Sequence, residues 1–302
     1  MSRDLQGETS ELAPHKEQRQ RVLTIGQCAS LACLLEAAAP KPGNVHRGAD
    51  FEDVTFYDFA ASAVAIAPIM DRAAQQGVGA TVLAAIQATR RVVQTNTNLG
   101  MVLLMAPLAA TPPDVPLRTG IAQVLKRLTV DDARQVYQAI RLAEPGGMGE
   151  VPQMDIAGPP PPDLQAAMRL AADRDLVARQ YSENFAQVLD FVAPVLVAGQ
   201  AAGWSLIESI VYAHVKTMCE FPDSLIARKC GEAVAREAAA RAGRVLDAGQ
   251  PGDQDYYLAL SDLDLWLRAD GHRRNPGTTA DLIAAGLFVG LREGDLEPPY
   301  RW

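Results

Sequence analysis

Polar and charged side chains collect in five short stretches, each interrupting or opening an otherwise apolar segment. PKPGNVHRGAD (40–50) lies just beyond Glu36, at the end of an Ala- and Leu-rich run, and carries Lys41, Gly43, Asn44, His46, Arg47 and Asp50. A linker needs the Pro and Gly breakers but not so many donors and charges, whereas a phosphate or nucleotide site needs both. QTNTNLG (94–100) sets Asn96, Thr97 and Asn98 before an apolar segment, where they can cap a helix and present its positive end to an anion. EPGGMGEVPQMDIAGPPPPD (144–163) joins Gly146 and Gly147 to Glu144, Glu150 and Asp155, acceptor-only groups suited to Mg²⁺ or to a developing positive charge. CEFPDSLIARKCGE (219–232) offers Asp223 as an N-cap, with Arg228 and Lys229 one to two turns on. In RRNPGTTADL (273–282), Asn275, Thr278, Thr279 and Asp281 crowd around a turn whose Gly277 allows close backbone approach to an anion at the following helix N-terminus.

Each stretch also has an ordinary reading. NPGTTADL and TNTNLG are sound helix starts, His46 reads as a surface residue, and the basic text at 228–244 reads as a solvated helix face with Glu partners. Their joint occurrence in one acidic, helical chain points to a shared ligand.

The elements between these stretches are helical. Apolar residues recur at helical spacing almost throughout, as in Val22, Leu23, Ile25, Cys28, Ala29, Leu31, Ala32 and Leu35, and Pro40 and Pro42 stop that first run. Helices are expected over 20–39, 55–74, 78–94, 97–110, 116–127, 130–142, 162–180, 183–201, 204–220, 223–248, 253–269 and 276–292. Thr55 with Asp58 resembles a capping box, and Asp131 or Asp132 can cap the helix before Tyr137. The fold expected is all-α, one large domain of roughly a dozen helices over 20–302, preceded by a flexible arm over 1–19. The Gly/Pro-rich stretch 144–163 is too long for an idle loop in a compact domain.

Composition narrows the function. With 302 residues and 48% hydrophobic content the chain can bury a large core, and a net charge of −8 argues against a nucleic-acid partner. Cys28, Cys33, Cys219 and Cys230 form no CxxC pair and read as reduced thiols. No secretory signal is visible, and the apolar runs 99–110 and 185–202 are too short or too interrupted to span a membrane. A cytoplasmic location without a membrane partner is expected, and Ala-rich helix faces would allow a homodimer.

The order and wording of the five stretches resemble the triphosphoribosyl-dephospho-coenzyme A synthase family over roughly residues 28–292. Lys41, Pro42 and Gly43 match its Lys-Pro-Gly stretch, and Asn96, Thr97 and Gly100 its Asn-Thr-x-x-Gly stretch. Gly147 and Glu150 match its Gly-and-Glu loop, Asp223 and Gly231 its late acidic and Gly motif, and Pro276, Gly277 and Asp281 its Pro-Gly and Ala-Asp-Leu motif. The chain departs from that pattern at Leu99, where Lys is usual, and near His46, Asp50 and Lys229.

The resemblance implies an all-α enzyme that uses ATP with Mg²⁺, releases adenine and joins the triphosphoribosyl group to a ribose hydroxyl of dephospho-coenzyme A. On that footing Lys41, Arg47 and the 276–279 turn are expected at phosphate, with Arg47 or Arg273 making up for Leu99. Gly43, Asn44, His46, Thr97, Asn98, Gly146, Gly147, Arg228, Lys229 and Asn275 are expected to complete the nucleotide site, and Asn96 and Asp281 to hold ribose hydroxyls. Glu150 and Asp155 are expected at metal or the oxocarbenium-like sugar, with Asp223 as a further metal ligand and Glu36 as the base for the acceptor hydroxyl. Two other readings stay open: a same-fold enzyme with another phosphorylated or ribosyl acceptor, and a nucleotide-binding protein without turnover.

Overall fold

A computed structural model describes residues 22–146 and 153–302. The described residues are all-α, with fifteen α-helices: α1 Ile25–Ala38, α2 Phe56–Met70, α3 Ala73–Gln76, α4 Val78–Val92, α5 Leu99–Ala110, α6 Leu117–Lys126, α7 Val130–Ala143, α8 Leu164–Ala171, α9 Leu176–Ser182, α10 Ala193–Ala201, α11 Leu206–Glu220, α12 Ser224–Cys230, α13 Glu232–Asp247, α14 Gln254–Arg268 and α15 Gly277–Glu293. A π-helical turn, Gln187–Val192, leads into α10, and one short extended segment, Ala269–His272, follows α14. None of these helices is long and apolar enough to cross a membrane.

Local sequence sets several helix starts. Thr24, Thr55, Thr129 and Ser205 each form a capping box with the residue three positions on, a device that stabilises a helix start by about 1 kcal/mol. The expected Thr55–Asp58 box is present, and of the two aspartates at the start of α7 it is Asp132 that serves, accepting the Thr129 N–H at 2.8 Å. Asp132 also accepts the Gly79 N–H at 2.7 Å, which fixes α7 against α4.

Four expected helices are broken: 55–74 divides between Met70 and Ala73, and the other three breaks have local reasons. The run 223–248 divides at Gly231, whose φ of +93° is open to glycine and strained for other residues. The run 162–180 divides before Asp175, whose carboxylate caps α9 through the Val177 and Ala178 N–H groups. The run 183–201 begins with Asn184 and Phe185 at positive φ, then passes through the π-helical turn.

The principal core joins α1, α2, α4, α5, α7, α9, α10 and α15, and a second cluster lies among α11 to α14 around Val215, Ile226, Ala238, Tyr256 and Leu267. Helix α15 runs through the centre, buried at nearly every position from Thr278 to Arg292, and packs on α1, α5, α10 and α11. Among the described residues no cysteine forms a disulfide.

Candidate active site

The five polar stretches meet at one cavity of about 480 Å³. Asn44 comes from the first stretch; Asn96, Thr97, Asn98, Leu99 and Gly100 come from the second; Glu144, Gly146 and Asp155 from the third; Arg228 and Lys229 from the fourth; Asn275, Gly277, Thr278 and Asp281 from the fifth. Glu36, on the last turn of α1, closes the wall beside them. The N-termini of α5 and α15, both long helices, open on this space and bring positive partial charge to it.

The remaining motif residues stand behind the wall, and their roles are corrected accordingly. Lys41 is fully buried, and its ammonium lies 2.9 Å from Glu36 Oε1 and also donates to the Glu36 and Ala39 carbonyls. It is spent on the frame and is not presented to a phosphate. Gly43 gives its N–H to Asp264 at 2.7 Å, and there is no room for a Cβ, which would sit 2.8 Å from Leu267 Cβ. Asp223 is fully buried as well. One carboxylate oxygen caps α12 through Leu225 and Ile226, and the other accepts both the N–H and the hydroxyl of Thr279. Neither Asp223 nor Thr279 reaches the cavity, so the metal role expected of Asp223 is replaced by a capping role.

His46 faces a second, smaller cavity of about 320 Å³, with Pro40, Pro42, Tyr256 and Asp264. Arg47 is exposed, and neither it nor Arg273 lines the main cavity, so neither makes up for Leu99. Gly147 and Glu150 lie outside the described residues.

Several wall residues carried no signal in the sequence. Asp175 lines the cavity and receives Arg228 at 2.7 Å, so the break between α8 and α9 creates a charged wall position. Arg174 stands beside it. Phe51 and His272 stack at 5.1 Å, and Asp53 approaches His272 at 3.7 Å. Tyr137 on α7 donates to the Met154 carbonyl at 2.7 Å, and Arg141 donates to the Ile156 carbonyl at 2.6 Å, which holds the segment bearing Asp155 over the opening. An Asp just before an apolar run was readable as a cap at 175, but nothing local tells which caps face a ligand.

Charge on the wall is predominantly acidic. Among the described residues Glu36, Asp53, Glu144, Asp155, Asp175 and Asp281 face three cations, Arg174, Arg228 and Lys229. A polyphosphate enters such a site only if carboxylates are neutralised. Glu36 has Lys41, Asp175 has Arg228, and Glu144 has Arg90 at 3.7 Å. Burial, partly opposed by Lys41, raises the Glu36 pKa, and burial with the neighbouring carboxylates of Glu36, Asp223 and Asp175 raises that of Asp281 well above the usual range. Among the described residues two buried acceptors, Asn44 Oδ1 and Asn98 Oδ1, have no hydrogen-bond partner, and an unsatisfied buried acceptor costs about 1–3 kcal/mol unless a ligand or water serves it.

Much of the remaining lining is apolar, including Val54, Phe59, Met101, Leu103, Ile140, Met168 and Val177. A ligand with a flat or aliphatic part and a polyanionic part matches this division. Among the described residues no three His, Cys, Asp or Glu side chains group to hold a metal by themselves. Mg²⁺ ordinarily takes one or two carboxylates and completes its shell with phosphate and water, so a cavity-facing Asp155 fits that ion when it arrives with a nucleotide.

Comparison with known proteins accords with this geometry. A crystal structure from Archaeoglobus fulgidus, assigned as a triphosphoribosyl-dephospho-CoA synthase, superposes with a TM-score of 0.59 at 26% identity, covering 78% of this chain and 98% of that one. No curated protein matches the chain. The profile of the ATP:dephospho-CoA triphosphoribosyl transferases (CitG) matches residues 23–298. With that profile running from the start of α1 past the end of α15, the chain belongs to the ATP:dephospho-CoA triphosphoribosyl transferase family.

Proposed function

We propose that this protein transfers the triphosphoribosyl group of ATP to a ribose hydroxyl of dephospho-CoA and releases adenine. The observation that carries the reading is the convergence of all five stretches on one cavity whose wall divides into an apolar part and a charged part. The apolar part suits a purine and an aliphatic arm, and the charged part suits a triphosphate.

The reaction is a substitution at the anomeric carbon. The bond from ribose to adenine breaks, a bond from ribose to the acceptor oxygen forms, and the sugar passes through an oxocarbenium-like state. Arg174, Arg228 and Lys229, with the Thr278 N–H at the start of α15, bind the triphosphate. Asn96 sits at the ribose hydroxyls. Asp155, together with Glu150, would hold Mg²⁺, and that ion supplies positive charge to the polyphosphate. Glu36 takes the proton from the acceptor hydroxyl. Burial places its basicity above that of an ordinary carboxylate, and Lys41 keeps the carboxylate aimed.

Incubation with ATP, Mg²⁺ and dephospho-CoA is expected to yield adenine and the triphosphoribosyl product in equal amounts, followed by chromatography and mass spectrometry. Failure to release adenine with dephospho-CoA or any other phosphorylated acceptor overturns the reading.

A further inference from the structure

Two kinds of carboxyl stand at and behind the wall. Asp175 and Asp223 are engaged by N–H groups and, at Asp175, by a guanidinium, while Glu36 has the ammonium of Lys41 at 2.9 Å. Asp281 has none of these. It faces the cavity from the second turn of α15, and among the described residues no hydrogen bond or ion pair reaches its carboxyl. Its oxygens lie against the backbone of Gly100, where a Cβ would stand 2.0 Å from Oδ2, so the start of α5 is shaped around this side chain.

We propose that Asp281 is the general acid of the transfer, the group that delivers a proton to the purine as its bond to ribose breaks. The inference rests on the transferase reading above. The C1′–N9 electron pair passes to the base, the Asp281 proton goes to adenine N7, and neutral adenine departs. The acceptor oxygen bonds to C1′, and its proton goes to Glu36. One proton has then moved from Asp281 to adenine and another from the hydroxyl to Glu36, so return of the second proton to Asp281 resets the site.

The surroundings explain why this carboxyl carries the proton. The groups facing it are Glu36 and Cys33 from α1, Asp175 ahead of α9, Asp223 ahead of α12 and Arg228 on α12. The single guanidinium is already bound by Asp175. A half-buried carboxyl among other carboxylates, with no counter-ion bound to it among the described residues, is neutralised most cheaply by a proton, and its pKa rises well above the ordinary range. Glu36, which has its own cation, is left as the base. Two carboxyls in one site are thus pushed toward opposite roles by their partners.

The test compares wild-type protein with Asp281→Asn on two substrates, ATP and an N7-methylated ATP whose base departs without needing a proton. The variant is expected to lose about 10²–10⁴-fold in kcat on ATP and less than about tenfold on the methylated analogue. Glu36→Gln is expected to lose rate on both. Equal losses for Asp281→Asn on the two substrates, or no loss on ATP, overturn the assignment while leaving the transferase reading intact. A wild-type protein that releases no adenine with any acceptor overturns both. Infrared difference spectra give a readout independent of turnover: a protonated-carboxyl band at neutral pH is expected in the wild type and absent in a folded Asp281→Asn protein, and its persistence in that variant also overturns the assignment.

Discussion

The frame behind the cavity and the cavity wall are built from the same motifs, yet they treat polar groups in opposite ways. In the frame Lys41, Gly43, Asp223 and Thr279 are buried and find partners within the protein. On the wall Asn44 Oδ1, Asn98 Oδ1 and the Asp281 carboxyl are left open. Motif residues therefore do two jobs: some make the shape, and others meet the ligand. Chemical type alone does not separate them, since Lys41 and Asp223 belong to the frame while Lys229 and Asp281 line the wall.

This contrast can be broken by substitution. The largest effect is expected at Lys41, where replacement by Met strands a buried Glu36 and should cost about 3–5 kcal/mol in urea unfolding. Lys229→Met on the wall should change stability by less than about 0.5 kcal/mol while weakening nucleotide binding, read by calorimetry. Asp223→Ala comes next. It uncaps α12 and releases Thr279, and a loss of about 2–4 kcal/mol is expected from the same unfolding measurement.

Smaller in stability but sharp in function is Gly100→Ala. The added methyl pushes Asp281 off its seat, so a fall of at least about tenfold in adenine release is expected with a modest shift in melting temperature. The subtlest effect is on pH dependence. Because the folded-state pKa of Asp281 is raised, its contribution to stability is full at low pH and is lost as pH climbs from the ordinary aspartate range through the raised value. Asp281→Asn removes that loss, so its stability relative to wild type should grow between acidic and mildly alkaline pH, measured by denaturant midpoints.

Much of this was legible in the sequence. Helical periodicity located every long helix, and the joint polar content of five stretches identified what would converge. Breaks escaped notice where apolar spacing runs smoothly, at Gly231, Asp175 and the π-helical turn. Those breaks matter to function, since the first two turn Arg228 and Asp175 toward each other on the wall. Lys41 was expected at phosphate on the strength of the Lys-Pro-Gly resemblance, which does not tell a presented lysine from a buried one. Its burial depends on Glu36, one turn back on α1, and on carbonyls left free where Pro40 and Pro42 end the helix. Asp281 was readable as a site residue, but its lack of partners follows only from how α1, α5, α9 and α12 surround it.

The burial of α15 also has a mechanical consequence. An element enclosed on all sides moves with the core, and so do the Gly277–Asp281 side chains at its start. The opposite rim is lighter, with Met154 and Ile156 tethered by single side chains of α7 and with the short helices α8 and α9 beyond them. Amide exchange should be slowest in α15 and fastest along that rim. Substrate and product are then expected to pass on that lighter side, while the side chains at the start of α15 keep their places.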